Sequence, residues 1–205
     1  MTVAELIGLL NDMTDRENPT EEALRWFNAC SRRIAPQARI PQISESTIPV
    51  PFSRFSLPED LVEIVQPDGL QYQPEGKSYW TIIYDRHLHP NKVTGYRRFG
   101  KVVVLDSTYE PGTLRLDYYR LPDPLTSLDD EPEIPEAFHE IYAYYGAMLY
   151  LSRWSNQGED YPIHRAEFER LLNELDLHTS YQRGRGAPFQ TRDVMPRWKS
   201  RRRVL

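Results

Sequence analysis

The stretch EIPEAFHEIYAYYGAMLYLSRW, residues 133–154, decides how the rest of the chain is read. Pro135 stands where a helix begins, a position that loses nothing by lacking an amide hydrogen. From about Pro135 to Trp154, Phe138, Ile141, Tyr142, Tyr144, Tyr145, Ala147, Met148, Leu149 and Leu151 fall on nearly every side of a 3.6-residue repeat. A helix that is apolar on several faces is either central to a core or packed against a neighbouring subunit.

Elements on both sides supply such a core. Downstream, Gly158 to Tyr161 turns the chain, and a helix over Pro162–Leu177 carries Ile163, Ala166, Leu171, Leu172 and Leu175. At the other end, Thr2 and Glu5 have capping-box spacing, and Val3, Leu6, Ile7, Leu10 and Met13 form one apolar face of a helix over 2–13. Thr20 is placed to cap a second helix, with Ala23, Phe27, Cys30 and Ile34 in phase until Pro36 stops it. Between these helical parts the period changes to 2. Pro36, Pro41, Pro49, Pro51 and Pro58 punctuate an extended stretch of irregular or edge-strand backbone. Strands are expected at Leu61–Gln66, Tyr79–Tyr84, Tyr96–Phe99, Lys101–Asp106 and Thr113–Tyr119, with turns at Gly69, Gly95, Gly100 and Pro111-Gly112. The reading is α+β: an N-terminal αα-hairpin and two C-terminal helices forming a bundle, with a small antiparallel sheet inserted. Residues 1–178 form one domain, helical over 1–35 and 134–178 and β-rich over 45–120.

At 205 residues the chain can bury a real core. Its one cysteine, Cys30, falls on an apolar stripe and suits a reducing cytoplasm. No apolar run approaches the ~20 residues that span a bilayer, and the opening Met1-Thr2-Val3-Ala4-Glu5 lacks the basic start of a signal peptide. Chemistry-bearing motifs are sparse. Asp85-Arg86-His87-Leu88-His89 has metal-like alternation but no accompanying cluster, so polar residues at a strand end are the simpler reading. His139 reads as a structural hydrogen-bonding residue. The acid pairs Glu59-Asp60, Asp129-Asp130 and Glu131/Glu133 lie in proline-flanked loops, where solvated carboxylates are ordinary. No nucleophile elbow and no phosphate-cradling glycine motif appears. The expectation is no catalytic residue, no metal and no cofactor.

Charge is distributed unevenly. From Thr179 to Leu205 there are eight basic residues and one acid, a charge of +7; the whole chain is −5, so residues 1–178, with 17 basic and 29 acidic side chains, carry −12. Such asymmetry marks a segment with a partner of its own. Arg183, Arg185, Phe189, Arg192, Arg197, Trp198, Lys199, Arg201, Arg202 and Arg203 combine cationic forks with apolar anchors, the residue types that dominate interface energetics. Fully extended, the segment reaches roughly 90 Å, enough to cross onto another subunit. A solubilising tail and a nucleic-acid tether are the competing readings: the arginines suit phosphates and Trp198 suits base stacking. The −12 body argues against a duplex, and a protein partner with an acidic groove is the favoured reading beside these two.

The order of elements, with Glu131-Pro132-Glu133-Ile134-Pro135-Glu136 leading into Tyr142-Ala143-Tyr144-Tyr145-Gly146-Ala147, then Phe168 and Leu171-Leu172, resembles the head–tail adaptor proteins of short-tailed bacteriophages. They are also called tail accessory or tail tubular proteins. The Glu21–Ile34 helix with Arg32-Arg33 fits the same pattern. The resemblance implies a virion structural protein, made in the host cytoplasm and placed at the head–tail junction. It implies a homo-oligomeric ring, commonly a dodecamer, below the portal protein, presenting a surface to tail or nozzle proteins. DNA would be passing cargo, with no membrane involved. It also implies that residues 179–205 form an extended arm gripping the portal or a neighbouring copy, and that Phe138, Tyr142, Tyr145 and Met148 pack between subunits. Two other classes stay open here: a nucleic-acid-binding module using the basic tail, and a carboxylate-dependent hydrolase.

Overall fold

The computed structural model describes residues 1–154 and 160–186. Four helices and nine strands follow in chain order, and they bury two separate apolar clusters, one helical and one between sheets. The fold is α+β, as the sequence pattern predicts.

Helix α1 (Val3–Thr14) begins with the expected capping box: the Thr2 hydroxyl accepts from the Glu5 amide at 3.3 Å and the Glu5 carboxylate accepts from the Thr2 amide at 2.8 Å. Helix α2 (Thr20–Ala38) departs from expectation at both ends. Pro19, not Thr20, is its N-cap residue, and Pro36 lies inside its last turn. A proline there removes one hydrogen bond, but Ala35 and Ala38 are buried against the core and carry the helix on to Arg39, whose αL backbone (φ 48°) lets its amide donate to the Ala35 carbonyl. A 3-10 turn at Glu136–Phe138 then leads into α3 (Ile141–Trp154), so the helix proper starts six residues after Pro135. Helix α4 runs Asp160–Gly186, nine residues past the predicted end at Leu177. The turn expected at Gly158–Tyr161 falls partly outside the described residues.

Helix α3 packs against α1, α2 and α4 at once. Ile141, Tyr142, Ala143 and Ala147 meet Leu6 and Leu10 of α1, Phe27, Cys30 and Ile34 of α2, and Phe168, Leu171 and Leu175 of α4 in one cluster. Of the two readings open for an all-round apolar helix, the central one applies. Burial pushes the Cys30 thiol pKa well up, as befits a core residue.

The β-rich part is larger than the sequence pattern suggests and contains two sheets. Strand β1 (Ile40–Ile48) fills much of the proline-punctuated stretch and β2 (Phe52–Ser56) follows it. Then come β3 (Leu61–Ile64), β4 (Leu70–Pro74), β5 (Thr81–Ile82), β6 (Tyr84–Asp85), β7 (Gly95–Phe99), β8 (Val102–Tyr109) and β9 (Gly112–Arg120). Strand β9 is the spine of the five-stranded sheet. It pairs with β1 along its whole length, from Ile40↔Arg120 to Ile48↔Gly112, and on its other edge with β3 and β4; β5 extends β4. The second sheet has the order β2-β8-β7-β6. Contrary to a purely antiparallel expectation, β6 and β7 run parallel. The chain crosses between sheets at Ile83, which is fully buried. Leu114, Leu116 and Tyr118 face inward from β9, alternating with Arg115, Asp117 and Tyr119 as predicted, and meet Val103, Leu105 and Tyr96 of the other sheet.

Candidate functional site

The residues singled out for partner contact divide into two groups. On α3, Phe138 and Tyr142 are spent on the protomer's own core. The Tyr142 ring stands edge-on to Phe27 with centroids 6.1 Å apart, its hydroxyl lies 3.2 Å from the Ser31 hydroxyl, and burial raises the phenol pKa strongly. Phe138 packs edge-on against His178 of α4 at 5.5 Å. Both side chains are buried within the protomer. Tyr145, against Phe168 at 5.4 Å, and Met148 are half-buried at the edge of the core.

The basic segment begins as helix. Arg183 and Arg185 lie in the last turns of α4, whereas Phe189, Arg192, Arg197, Trp198, Lys199, Arg201, Arg202 and Arg203 lie outside the described residues. Thr179 and Ser180, at the start of the segment read as an extended arm, lie within α4 and contact the end of α2 and the residue after it. The Thr179 hydroxyl donates to the Gln37 carbonyl at 2.8 Å, and Arg39 reaches Asp176 at 3.0 Å and the Ser180 hydroxyl at 2.6 Å. The extension follows from these tertiary contacts, which no helical period in the sequence reports.

The acidic loop between β9 and the 3-10 turn is a fastener. Arg120, at the end of β9, holds Glu133 through both terminal guanidinium nitrogens, Nη1 at 3.0 Å and Nη2 at 2.5 Å, and also reaches Asp123 at 3.0 Å. The Glu133 carboxylate accepts as well from the Asp123 amide at 2.7 Å. Burial alone would raise the Glu133 pKa, but Arg120 and that amide together hold it below the ordinary glutamate value. A depressed carboxylate stabilises the fold above its unfolded pKa and stops doing so as pH falls through the folded value. Arg120→Met is therefore expected to destabilise the chain by about 1.5–3 kcal/mol at neutral pH. The gap from wild type should narrow below about pH 4 in urea titrations; a gap independent of pH would assign the loss to packing instead. Asp130 closes the same loop on itself, accepting from the Thr126 and Ser127 amides at 2.7 and 2.8 Å, which lowers its pKa. A cleft of about 430 Å³ opens beside this fastener, lined by Arg39, Ile40, Tyr119, Glu133, Pro135 and His178 where the bundle meets the first sheet.

The sequence matches the model of the family described as SU10 adaptor protein over residues 1–192. The chain belongs to that family. No curated protein matches it. Membership makes it a phage adaptor, a structural component of the virion that associates with other virion components such as portal and tail. The match takes in the bundle, both sheets and the whole of α4 and stops at Arg192, short of Arg197, Trp198, Lys199 and Arg201–Arg203.

In the adaptor the remaining polar motifs serve as local structure. His139 is buried; its Nε2 lies 2.8 Å from the Ile134 carbonyl and its Nδ1 3.1 Å from the Met1 amino group, tying the start of the chain to the entry of α3. Asp85 accepts from the His87 amide at 2.8 Å, and His89 packs on Tyr84. The organiser of that loop is the residue between them, Arg86, which pairs with Asp106 and donates to the carbonyls of Pro90, Lys92 and Val93. Gly95 leaves room for it: a Cβ there would meet the guanidinium Nε at 2.3 Å. No spacing rule picks out Arg86, because its partners are backbone carbonyls and an aspartate on another strand. Asp60 accepts from the Tyr118 hydroxyl at 3.3 Å. Among the described residues no three His, Cys, Asp or Glu side chains group to hold a metal ion, and no helix is long and apolar enough to cross a membrane.

Proposed function

We propose that this adaptor assembles as a ring, of twelve copies in the form the family resemblance implies, below the portal. There it joins capsid to tail, with DNA passing through the lumen. The observation that carries the reading is the polarity of the chain: an acidic body of −12 ending in a helix whose last turns open a cationic stretch. A negative lumen wall would not retain a passing polyanion. A cationic end rich in arginine suits an acidic groove on the portal or on a neighbouring copy, with Arg183, Arg185, Phe189, Arg192, Arg197, Trp198, Lys199, Arg201, Arg202 and Arg203 as the contact set. Many tethered contacts in one ring give slow dissociation without a tight single site. Tyr145 and Met148, half-buried on α3, are the members of the aromatic helix placed nearest a neighbour.

The helix boundary fixes where to cut. Removing residues 187–205 spares the contacts of Thr179 and Ser180 with α2, so the truncated chain should fold with unchanged circular dichroism and denaturation midpoint. It should no longer be retained by purified portal rings. Retention equal to that of the full chain would take the C-terminal residues out of the mechanism.

A further inference from the structure

The outer face of the second sheet is unlike the rest of this acidic body. Opposed residues of an antiparallel pair share a face, and the register puts Arg54, Val104 and Arg97 in one row and Ser56, Val102 and Phe99 in the next. Val103, Leu105 and Tyr96 point the other way, into the core. Phe99 is 63% exposed, Val102 37% and Val104 38%, three contiguous apolar side chains on two paired strands. Lys101 stands exposed at the hairpin beside them. Among the described residues neither Arg54 nor Arg97 has a carboxylate within 4.0 Å, although Arg39, Arg86, Arg115, Arg120, Arg165 and Arg170 are all ion-paired. The acid on this face, Asp106, is taken by Arg86.

The complementary surface lies on the helical half of the same chain. Leu128 is 43% exposed and is followed by an acidic run in which Asp129 and Glu131 are both exposed. The loop is held firmly, because the Ala4 amide donates to the Leu128 carbonyl at 3.0 Å and the Val3 amide to that of Asp130 at 2.9 Å.

We infer that the outer face of the β2-β8-β7 sheet docks on the Leu128–Glu131 loop of a second copy of this chain, with Arg54 and Arg97 meeting Asp129 and Glu131 and Leu128 seated on Phe99, Val102 and Val104. The argument is complementarity of charge and of apolar surface together. A nucleic-acid backbone would use the arginines but leave the apolar row exposed. Two different patches on one chain make a heterologous contact, the kind that closes into a ring when its rotation permits. The contact is small beside a stable interface of about 1,200–2,000 Å². It is therefore weak pairwise and accumulates on closure. The inference rests on the homo-oligomeric part of the reading above, and it names the surfaces involved.

Weak contacts are read best by trapping. Full-length Val102→Cys and Leu128→Cys chains, each keeping the buried Cys30, are mixed at high concentration with a short bismaleimide. The mixed dimer should exceed either homodimer several-fold. Adding Arg54→Glu and Arg97→Glu to the first chain should abolish it, and Asp129→Arg with Glu131→Arg in the second should restore it. Circular dichroism of each variant confirms folding. Mixed dimer at or below homodimer level, or trapping indifferent to the charge reversals, overturns the inference, as does duplex DNA binding lost with Arg54→Glu/Arg97→Glu in the absence of mixed trapping. Portal retention of the wild-type chain is measured in parallel. Retention without mixed trapping removes this interface and leaves the adaptor reading; mixed trapping without retention keeps the self-contact and removes the portal.

Discussion

Phe27→Ala is expected to lower the stability of the folded chain by about 3–5 kcal/mol, a large part of the ~5–15 kcal/mol that holds a domain together. Phe27 has no exposed surface. Its ring sits where α2 meets the central helix, edge-on to Tyr142, and together with Leu10 of α1 fills the space that a side chain at Gly146 would occupy. Truncation removes the transfer free energy of an aromatic ring, the edge-to-face contact worth about 0.5–1.5 kcal/mol, and opens a cavity that three packed helices cannot collapse. Phe27→Leu refills most of the volume and should cost less than half as much. Urea titration followed by far-ultraviolet circular dichroism gives both numbers. Equal losses for the two variants would show that the ring's shape, not its volume, sets the packing.

The second large effect belongs to the β half. Gly69→Ala should cost on the order of 3 kcal/mol through overpacking alone. Gly69 donates to the Val65 carbonyl at 2.8 Å and accepts from the Asp117 amide at 2.7 Å, so its backbone, just ahead of β4, is wedged between the residue that follows β3 and the spine strand β9. A Cβ would lie 2.2 Å from the Val65 carbonyl oxygen and 2.6 Å from that of Asp117. Both are backbone atoms in a ladder, which cannot step aside as a flexible side chain does. Gly8→Ala, on the exposed side of α1 with open space around it, should instead stabilise the chain by about 0.5–1 kcal/mol through helix propensity. Thermal melts of the pair should move in opposite directions; a Gly69→Ala melt at the wild-type temperature would mean that β4 and β9 separate more easily than their hydrogen bonds imply.

The sequence was most legible where one period dominates. The capping box at Thr2, the stripe of α2 and the inward run Leu114-Leu116-Tyr118 appear in the structure where the pattern puts them. It was least legible where stability comes from distant partners. Strand β1 has mostly exposed side chains and a proline at its second position, so nothing in its composition announces a nine-residue strand; its pairing with the distant β9, from Ile40↔Arg120 to Ile48↔Gly112, makes it one. Strand β4 does alternate, Leu70 and Tyr72 inward against Gln71 and Gln73, but its five residues follow the turn glycine Gly69 directly and end in Pro74, too short a run to stand out as a strand. For the candidate surfaces, the cationic stretch was visible as charge, whereas the Arg54–Val104–Arg97 row exists only once the register brings three strands together. All-round apolarity of the aromatic helix does not say by itself which neighbours it meets; within this chain α1, α2 and α4 all pack against it.

The passage from bundle to sheet has a mechanical meaning. Helix α2 ends at Ala38 and β1 begins at Ile40, so a single residue, Arg39, joins them, and its side chain is anchored to Asp176 and Ser180. The return path is clamped where Arg120 grips Glu133. A joint of one residue has two rotatable angles, and this one has both occupied by a left-handed turn. Torque applied to the strands is thus delivered to the helices with almost no slack, as through a keyed shaft, and tilting one half against the other requires Arg39 and Arg120 to let go together.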